Sequence, residues 1–133
     1  MCLTIKRKSH KQTAKKDIVV YKIVEQVVYS KRLRTPYQFT TVKIGGKYES
    51  KLTVYDDGIE LCITKGLHSL KTKKEAIEAA KDITGCDYDQ HIVRCIIPKG
   101  SEYYVGDFYD WKGYASSNIE YQEIIKTIKH EEL

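Results

Sequence analysis

The sequence predicts a small α+β domain, in which a mainly antiparallel, twisted sheet is covered on one face by a single well-capped helix at about residues 72–84. Three observations predict this class. Short runs rich in β-branched residues recur along the chain, turn signals with Gly, Pro or Asp separate them, and one stretch has the pattern of an amphipathic helix. A chain of 133 residues suits one hydrophobic core, and we expect no second domain.

The first half of the chain predicts strands joined by tight turns. The strand segments are 17–24, 27–29, 37–44, 47–55 and 59–64. Gly45-Gly46 predicts a hairpin that joins the third segment to the fourth. Asp56-Asp57-Gly58 predicts a second turn, which precedes the fifth segment.

One helix is predicted to begin at Thr72. The Thr72 hydroxyl can accept a hydrogen bond from a free N–H of the first turn, while Glu75 reaches back to the cap residue in a capping box. The apolar stripe consists of Ala76, Ile77, Ala79, Ala80 and Ile83. Gly85 can adopt the left-handed conformation that ends a helix, and we expect this helix to cover one face of the sheet.

The second half predicts one buried strand and one ambiguous segment. Residues 92–97 form an apolar run closed by Pro98-Lys99-Gly100, which is typical of a strand that ends in a turn. Residues 117–128 alternate like a strand but also fit helical spacing, and we interpret them as a strand through Ile125.

Aromatic residues are concentrated between these two segments, interrupted by Gly106 and Gly113. Large rings with polar tips, carried on glycine-containing turns, suit a face that is half core and half binding surface. The chain has 11 Tyr and two Phe. Because cores usually favour Phe, we expect some hydroxyls to face solvent or a partner. The predicted contact residues are Tyr103, Tyr104, Tyr109, Trp111 and Tyr114.

The excess positive charge is confined to the N-terminus. Residues 1–16 contain six basic and no acidic side chains, while the remaining 117 residues carry 17 basic and 18 acidic ones. We therefore predict a basic N-terminal arm at 1–16, able to be flexible, and a single α+β domain at 17–133. The basic residues are Lys6, Arg7, Lys8, Lys11, Lys15 and Lys16. Such an arm can follow nucleic-acid phosphates or an acidic protein surface, and a solvated arm that aids solubility is an equal alternative.

Hydropathy and cysteine spacing indicate the environment. No apolar run approaches the roughly 20 residues that span a bilayer, and the N-terminus lacks the apolar stretch of a secretory signal. We therefore expect a cytoplasmic protein with reduced cysteines and no membrane partner. The cysteine spacing does not match a structural zinc site, and neither a metal nor another cofactor is predicted.

A weaker candidate site for an anion lies where the helix begins. The residues concerned are His68, Ser69, Lys71, Lys73 and Lys74. Free N–H groups at a helix N-terminus attract anions, so a phosphate of a nucleotide or nucleic acid would suit this place. The favoured alternative is that His68 and Ser69 satisfy backbone groups in a turn, since every helix start offers the same donors.

Five segments in order carry a resemblance to a family: VVYK at 19–22, TPYQF at 35–39, KGLHSLKTKKEA at 65–76, CIIPKGSEYYVGDF at 95–108 and YASSNIEY at 114–121. Over nearly its whole length the chain resembles an uncharacterised family of small proteins from gut anaerobes and their phages, which has no established activity. The resemblance implies a phage or mobile-element origin, action in the host cytoplasm, and a functional class such as inhibition of a host defence system.

We accordingly predict a non-enzymatic binding protein, such as an inhibitor of a CRISPR nuclease or of a nucleotide-signalling system. It would engage a protein or a nucleotide-bearing target through the aromatic segment and the basic arm, and no catalytic residues are predicted. The alternative is an enzyme similar to ADP-ribosyltransferases, whose motifs would correspond to Lys22, to Thr40-Thr41 and to the segment 120–123, in that order along the chain. Two departures weaken this alternative: Lys22 replaces the usual Arg, and the segment 120–123 matches the late Gln/Glu-x-Glu motif imperfectly. A third interpretation is a nucleic-acid-binding accessory protein.

Overall fold

The computed structural model describes residues 3–6, 10–27, 30–36, 40–56, 58–82 and 88–129. The strands are β1 (Leu3–Ile5), β2 (Gln12–Thr13), β3 (Ile18–Val27), β4 (Leu33–Arg34), β5 (Thr41–Val42), β6 (Lys47–Glu49), β7 (Thr53–Asp56), β8 (Leu61–Lys65), β9 (Leu67–Leu70), β10 (Tyr88–Ile97), β11 (Glu102–Phe108), β12 (Trp111–Ser116) and β13 (Asn118–Ile128). The helix is α1 (Lys73–Asp82). Within these ranges, no helix has the length and apolar character needed to cross a membrane.

The strands form one antiparallel sheet that curls into a half-barrel. Ten strands follow one another in the order β6-β13-β10-β3-β9-β12-β11-β1-β8-β7, while β4 and β5 extend from β3 and β2 pairs with β11. The longest strands, β13, β10 and β3, are adjacent in this order, and every residue of β10 pairs with a residue of β3. Strands β6 and β7 are the two ends of the sheet.

The α+β prediction is wrong, because the chain is mostly β. Strands hold 61% of the described residues and the helix 9%, so α1 does not cover a face of the sheet. It packs three small side chains, Ala76, Ala79 and Ala80, against part of one apolar cluster. The curl of the sheet brings strands over one another's apolar sides, which leaves only a small patch for the helix. Residues 83–87, which include the predicted end of the helix, lie outside the described residues.

Two apolar clusters lie on the two faces of β3. Ile23 belongs to the first, together with Leu3, Phe108 and the helix alanines. Val20 and Val24 belong to the second, together with Cys95, Tyr121 and other side chains of β10 and β13. Alternation along β3 produces this division, since successive side chains of a strand point to opposite faces.

Several predicted strands are confirmed. β3, β8 and β10 lie where the β-branched runs are, and β13 continues to Ile128, beyond the predicted end at Ile125. The turn between β7 and β8 is also confirmed, with the Gly58 N–H donating to Asp56 Oδ1 at 2.8 Å.

The predicted hairpin at Gly45-Gly46 is wrong. β5 pairs with β4, and β6 pairs with β13. The Gly45 N–H donates to the Tyr121 carbonyl at 2.8 Å, and the Tyr121 N–H donates to the Gly46 carbonyl at 2.9 Å. These bonds attach the turn to β13, so it does not close a two-stranded ribbon. Residues 37–39 of the predicted strand lie outside the described residues.

The glycines of the aromatic segment lie in strands, where we expected turns. Gly106 of β11 and Gly113 of β12 are paired with each other. A Cβ on Gly106 would clash with the Thr4 carbonyl oxygen, and one on Gly113 would clash with the Phe108 ring. Close approach of neighbouring backbone and side chains therefore requires glycine at both positions.

Part of the N-terminal segment belongs to the sheet. β1 lies between β8 and β11, where Thr4 is paired with Cys62 on one side and Asp107 on the other. Leu3 is completely buried. The described basic residues of this segment, Lys6, Lys11, Lys15 and Lys16, are exposed.

Candidate functional site

A pocket of about 240 Å³ opens where β3 and β9 separate. These strands are paired at Tyr21 and Leu70, and further along β3 the partner is β4. The pocket is lined by Tyr21, Lys22, Ile23, Thr35, Pro36, Thr40, Val42, Tyr48, Glu49, Gly66, Leu67, His68, Ser69, Leu70, Phe108 and Tyr121. Thr40 and Glu49 are exposed and mark its mouth. We call this site the Lys22 pocket.

Lys22 carries an unneutralised charge in this pocket. Its Nζ donates a hydrogen bond to the His68 carbonyl oxygen at 2.6 Å and lies 6.0 Å from the centre of the Tyr121 ring. No carboxylate among the described residues forms an ion pair with it. Burial lowers the pKa of Lys22 to about 8, because the charged amine loses hydration. The amine is therefore still mostly protonated at pH 7.

Ser69 adds a buried hydroxyl without a partner. The residue is 3% exposed, and its Oγ has no hydrogen-bond partner in the described part of the chain. In the antiparallel register, the positions beside the Tyr21–Leu70 pair are Lys22 and Ser69, one on each strand. An unsatisfied buried hydroxyl destabilises a fold by about 1–3 kcal/mol. Ser69 thus adds a hydroxyl without a hydrogen-bond partner to the same lining that contains the unpaired charge of Lys22.

His68 is held neutral. Its Nε2 lies 3.3 Å from the Ile63 carbonyl oxygen, which can only accept, so this nitrogen carries the hydrogen. The ring packs edge-on against Phe108, with centroids 5.4 Å apart. Burial, followed by the positive charge of Lys22, lowers the pKa of His68 to about 4. His68 therefore contributes no charge to the pocket at neutral pH.

Cys95 and Tyr121, which lie near Lys22, are also neutral at pH 7. Burial raises the pKa of Cys95 to about 12 and raises that of Tyr121 well above its usual range. Tyr121 contacts the Tyr48 ring edge-on at 5.3 Å, and the Tyr48 hydroxyl accepts a hydrogen bond from the Lys43 N–H at 2.8 Å. The inner wall of the pocket thus combines one positive charge with aromatic and aliphatic side chains.

The predicted aromatic contact residues are divided between two faces and a turn. Tyr104 and Trp111 are partly buried against the first apolar cluster. Tyr103 and Tyr114 pack against the second, with their rings in edge contact at 5.9 Å. Tyr109 is 81% exposed and occupies the β11–β12 turn with a φ of +54°. These five residues do not form one continuous contact surface.

The described basic residues of the N-terminal segment are not part of the pocket lining. Lys6, Lys15 and Lys16 are exposed, and Lys11 forms an ion pair with Glu102 at 2.8 Å. Arg7 and Lys8 lie outside the described residues.

The predicted anion site is split by the structure. His68 and Ser69 line the Lys22 pocket, whereas Lys71, Lys73 and Lys74 are exposed and do not line it. The cation that shares this lining with His68 and Ser69 is Lys22, which we had placed only in the enzyme alternative. Its sequence signal is its position between Val20 and Val24 on one face of β3.

Comparison of the chain with protein family models, with curated proteins and with solved structures gave no match. In the described ranges, no group of three or more His, Cys, Asp or Glu side chains is arranged to hold a metal ion. The Lys22 pocket itself is therefore the basis for a function.

Proposed function

We propose that the chain is a non-enzymatic binding protein that holds a small molecule in the Lys22 pocket. The observation that carries this proposal is the enclosed Lys22 ammonium, which has no carboxylate partner among the described residues. Folded proteins rarely retain such a charge in an apolar wall, because its desolvation reduces stability, and perturbed groups of this kind are concentrated at functional sites.

The size and lining of the pocket support a compact ligand. An apolar cavity of roughly 150 Å³ is enough to bind benzene. At about 240 Å³, the Lys22 pocket has room for a substituted ring. Its walls are mainly aromatic and aliphatic with a few polar groups, as is usual for small-molecule sites.

The pocket favours binding over catalysis. The Nε2 of His68 donates to the Ile63 carbonyl, and burial lowers the pKa of the ring to about 4, so its other nitrogen is a weak base at neutral pH. Lys22 and Thr40 of the ADP-ribosyltransferase alternative do line the pocket. However, Glu120 and Glu123 lie outside its lining, in ion pairs with Lys47 and Arg94. No structural observation favours that alternative.

A binding protein of this kind suits the functional class that the family resemblance implies. If a phage or mobile element encodes the chain, sequestering a small molecule or a nucleotide-bearing target in the host cytoplasm would inhibit a defence system. The exposed Tyr109 ring and the exposed basic residues of the N-terminal segment are a proposed second contact with a protein or nucleic-acid partner.

A ligand screen with a blocked pocket tests the proposal. Thermal shift and native mass spectrometry would be run on single-ring acids and amides, nucleosides and nucleotides. Thr40→Trp places a bulky ring at the mouth, and Lys43→Trp places the same ring at an exposed position outside the lining. We expect to find compounds that bind the unmodified protein and the Lys43→Trp variant equally well. The same compounds should bind the Thr40→Trp variant at least about tenfold more weakly. They should also be recovered chemically unchanged. Hits that bind all three proteins equally, or the absence of any hit, would contradict the proposal.

A further inference from the structure

We infer that the ligand of the Lys22 pocket carries a compact anionic group, a carboxylate or a phosphate, bound between the Lys22 ammonium and the Ser69 hydroxyl. This inference rests on the proposed function and adds the chemical class of the ligand. In the described structure, the first group lacks a counter-charge and the second lacks a hydrogen-bond partner. An anion would supply a counter-charge for the Lys22 ammonium and a hydrogen-bond acceptor for the Ser69 hydroxyl.

Both side chains have hydrogen-bond donors that no described group accepts. A lysine ammonium has three N–H groups, and the His68 carbonyl accepts one of them at 2.6 Å. The Ser69 hydroxyl donates to no described group. The two residues follow the Tyr21–Leu70 pair on adjacent strands, so their side chains are neighbours across the sheet. A carboxylate or phosphate has enough oxygens to accept from both residues at once.

The charge balance of the pocket favours an anion. Three titratable side chains lie near the Lys22 amine: His68 on β9, whose pKa Lys22 lowers; Cys95 on β10, which acts on the pKa of Lys22; and Tyr121 on β13, whose ring centre lies 6.0 Å from Nζ. Burial lowers the pKa of His68 and raises the pKa values of Cys95 and Tyr121, so all three are uncharged at pH 7. Lys22 is therefore the unbalanced charge of the inner wall, while Glu49 lies at the exposed mouth. An anionic group would neutralise the inner wall, whereas a cationic one would be repelled by Lys22.

The rest of the ligand would contact apolar walls. Phe108 and Tyr121 both line the pocket, and the Tyr121 ring lies beside Lys22, with its centre 6.0 Å from Nζ. A flat apolar or aromatic body attached to the anionic group fits both the walls and the volume.

Matched acid and neutral compounds test this inference by isothermal titration calorimetry at pH 7. Benzoate would be compared with benzamide to test a carboxylate, and phenyl phosphate with phenol to test a phosphate. We expect the acid of at least one pair to bind about tenfold or more tightly than its neutral analogue, because hydrogen bonds to charged groups are the stronger kind. In Lys22→Met this preference should vanish while the neutral analogue still binds, which also shows that the variant is folded. Ser69→Ala should weaken acid binding by a smaller factor.

The dependence on pH provides a second readout. Acid binding should weaken by about tenfold per pH unit once Lys22 loses its proton above pH 8, while binding of benzamide, which does not ionise in this range, stays constant. Equal binding of acid and amide, or an acid preference that survives Lys22→Met, would overturn the inference and leave the proposed function in place. If none of the four compounds binds and the ligand screen also gives no hit, the inference and the proposed function are both overturned.

Discussion

The Nζ of Lys22 donates a 2.6 Å hydrogen bond to the carbonyl oxygen of His68, and this bond connects β3 to β9 just beyond the point where their backbone pairing ends. At this point the Lys22 side chain, and not a backbone N–H, donates the hydrogen bond between the two strands. The two walls of the pocket are thus joined by the same amine that gives the pocket its charge. Any change in the protonation of Lys22 should therefore affect both stability and binding.

Replacing Lys22 by methionine should stabilise the ligand-free protein at pH 7, by about 1–2 kcal/mol. The folded-state pKa of Lys22, about 8, lies below the unfolded value of 10.5. The unfolded chain therefore binds the proton more tightly, and the charged amine destabilises the fold at every pH below 8. This penalty disappears as the pH rises from 8 to 10.5, so the advantage of Lys22→Met should shrink over the same interval.

Urea unfolding of the two proteins at pH 6, 7, 8, 9 and 10 would measure this difference. Lys126→Met is a matched control, because Lys126 is exposed on β13. It should change the free energy of unfolding by less than about 0.5 kcal/mol at each pH. The prediction would be contradicted if Lys22→Met were less stable than the unmodified protein at pH 7. It would also be contradicted if the difference in the free energy of unfolding between the two proteins were the same at all five pH values.

His68 should remain neutral down to about pH 5. Its folded-state pKa is about 4 against an ordinary value of 6.5, and burial is the main cause. Because the unfolded state binds the proton more tightly, the contribution of His68 to stability is complete above pH 6.5 and is lost as the pH falls through 4. Imidazole chemical shifts in an NMR titration would follow this group, with His68→Gln to assign its signals. A midpoint for His68 at pH 6 or above would show that the residue is not enclosed in this way.

Gly113→Ala should destabilise the protein by roughly 1–3 kcal/mol. The added methyl group would meet the buried Phe108 ring and the Ser69 carbonyl oxygen at 2.6 Å. Gly100→Asn is a comparison in which backbone strain is the cost: a side chain there meets open space, and Asn adopts positive φ more readily than most residues, although the φ of +89° still strains it. Chemical denaturation would compare the two variants. If Gly113→Ala were as stable as Gly100→Asn, the close contact between β12 and Phe108 would be wrong.

Leu3→Ala should lower the free energy of unfolding by about 2–5 kcal/mol. The reason is that Leu3 is completely buried on β1, which lies between β8 and β11. Lys15→Ala, an exposed change in the same N-terminal segment, should stay within about 0.5 kcal/mol. Thermal or urea unfolding would measure both. Equal stability of the two variants would show that β1 is not an integral strand of the sheet.

Thr72→Ala should destabilise the protein by about 1 kcal/mol. The Thr72 hydroxyl oxygen accepts a hydrogen bond from the Glu75 N–H at 3.1 Å at the start of α1. Thr72→Ser keeps this acceptor and should be nearly neutral. Urea unfolding that ranks the serine variant with the alanine variant would show that the cap contributes little.

Local signals in the sequence predicted local structure. The β-branched runs gave the positions of β3 and β10, because period-two alternation is a property of one strand. The start of the helix at Thr72 was also predictable, because a cap involves residues only three apart. The fold class was not predictable in the same way. Whether a short strand pairs with its neighbour in sequence or with a distant strand depends on tertiary contacts. Strand β6, for example, pairs with the distant strand β13.

The pocket could be predicted only in part. His68 and Ser69 were identified near a possible anion site, and Lys22 is marked in the sequence by its position between two valines on a buried face. What brings them together is the pairing of Tyr21 with Leu70, residues that are far apart in the chain. No pattern within either segment specifies that register.

The position of β1 has a consequence for biosynthesis. β1 emerges from the ribosome before either of its neighbours, and its second edge is filled only when residue 107 becomes available. Until then Leu3 and Ile5 lack the apolar surroundings that they have in the finished molecule. The sheet therefore cannot be completed until β11 has left the ribosome, and the nascent chain would be a substrate for chaperones during that interval.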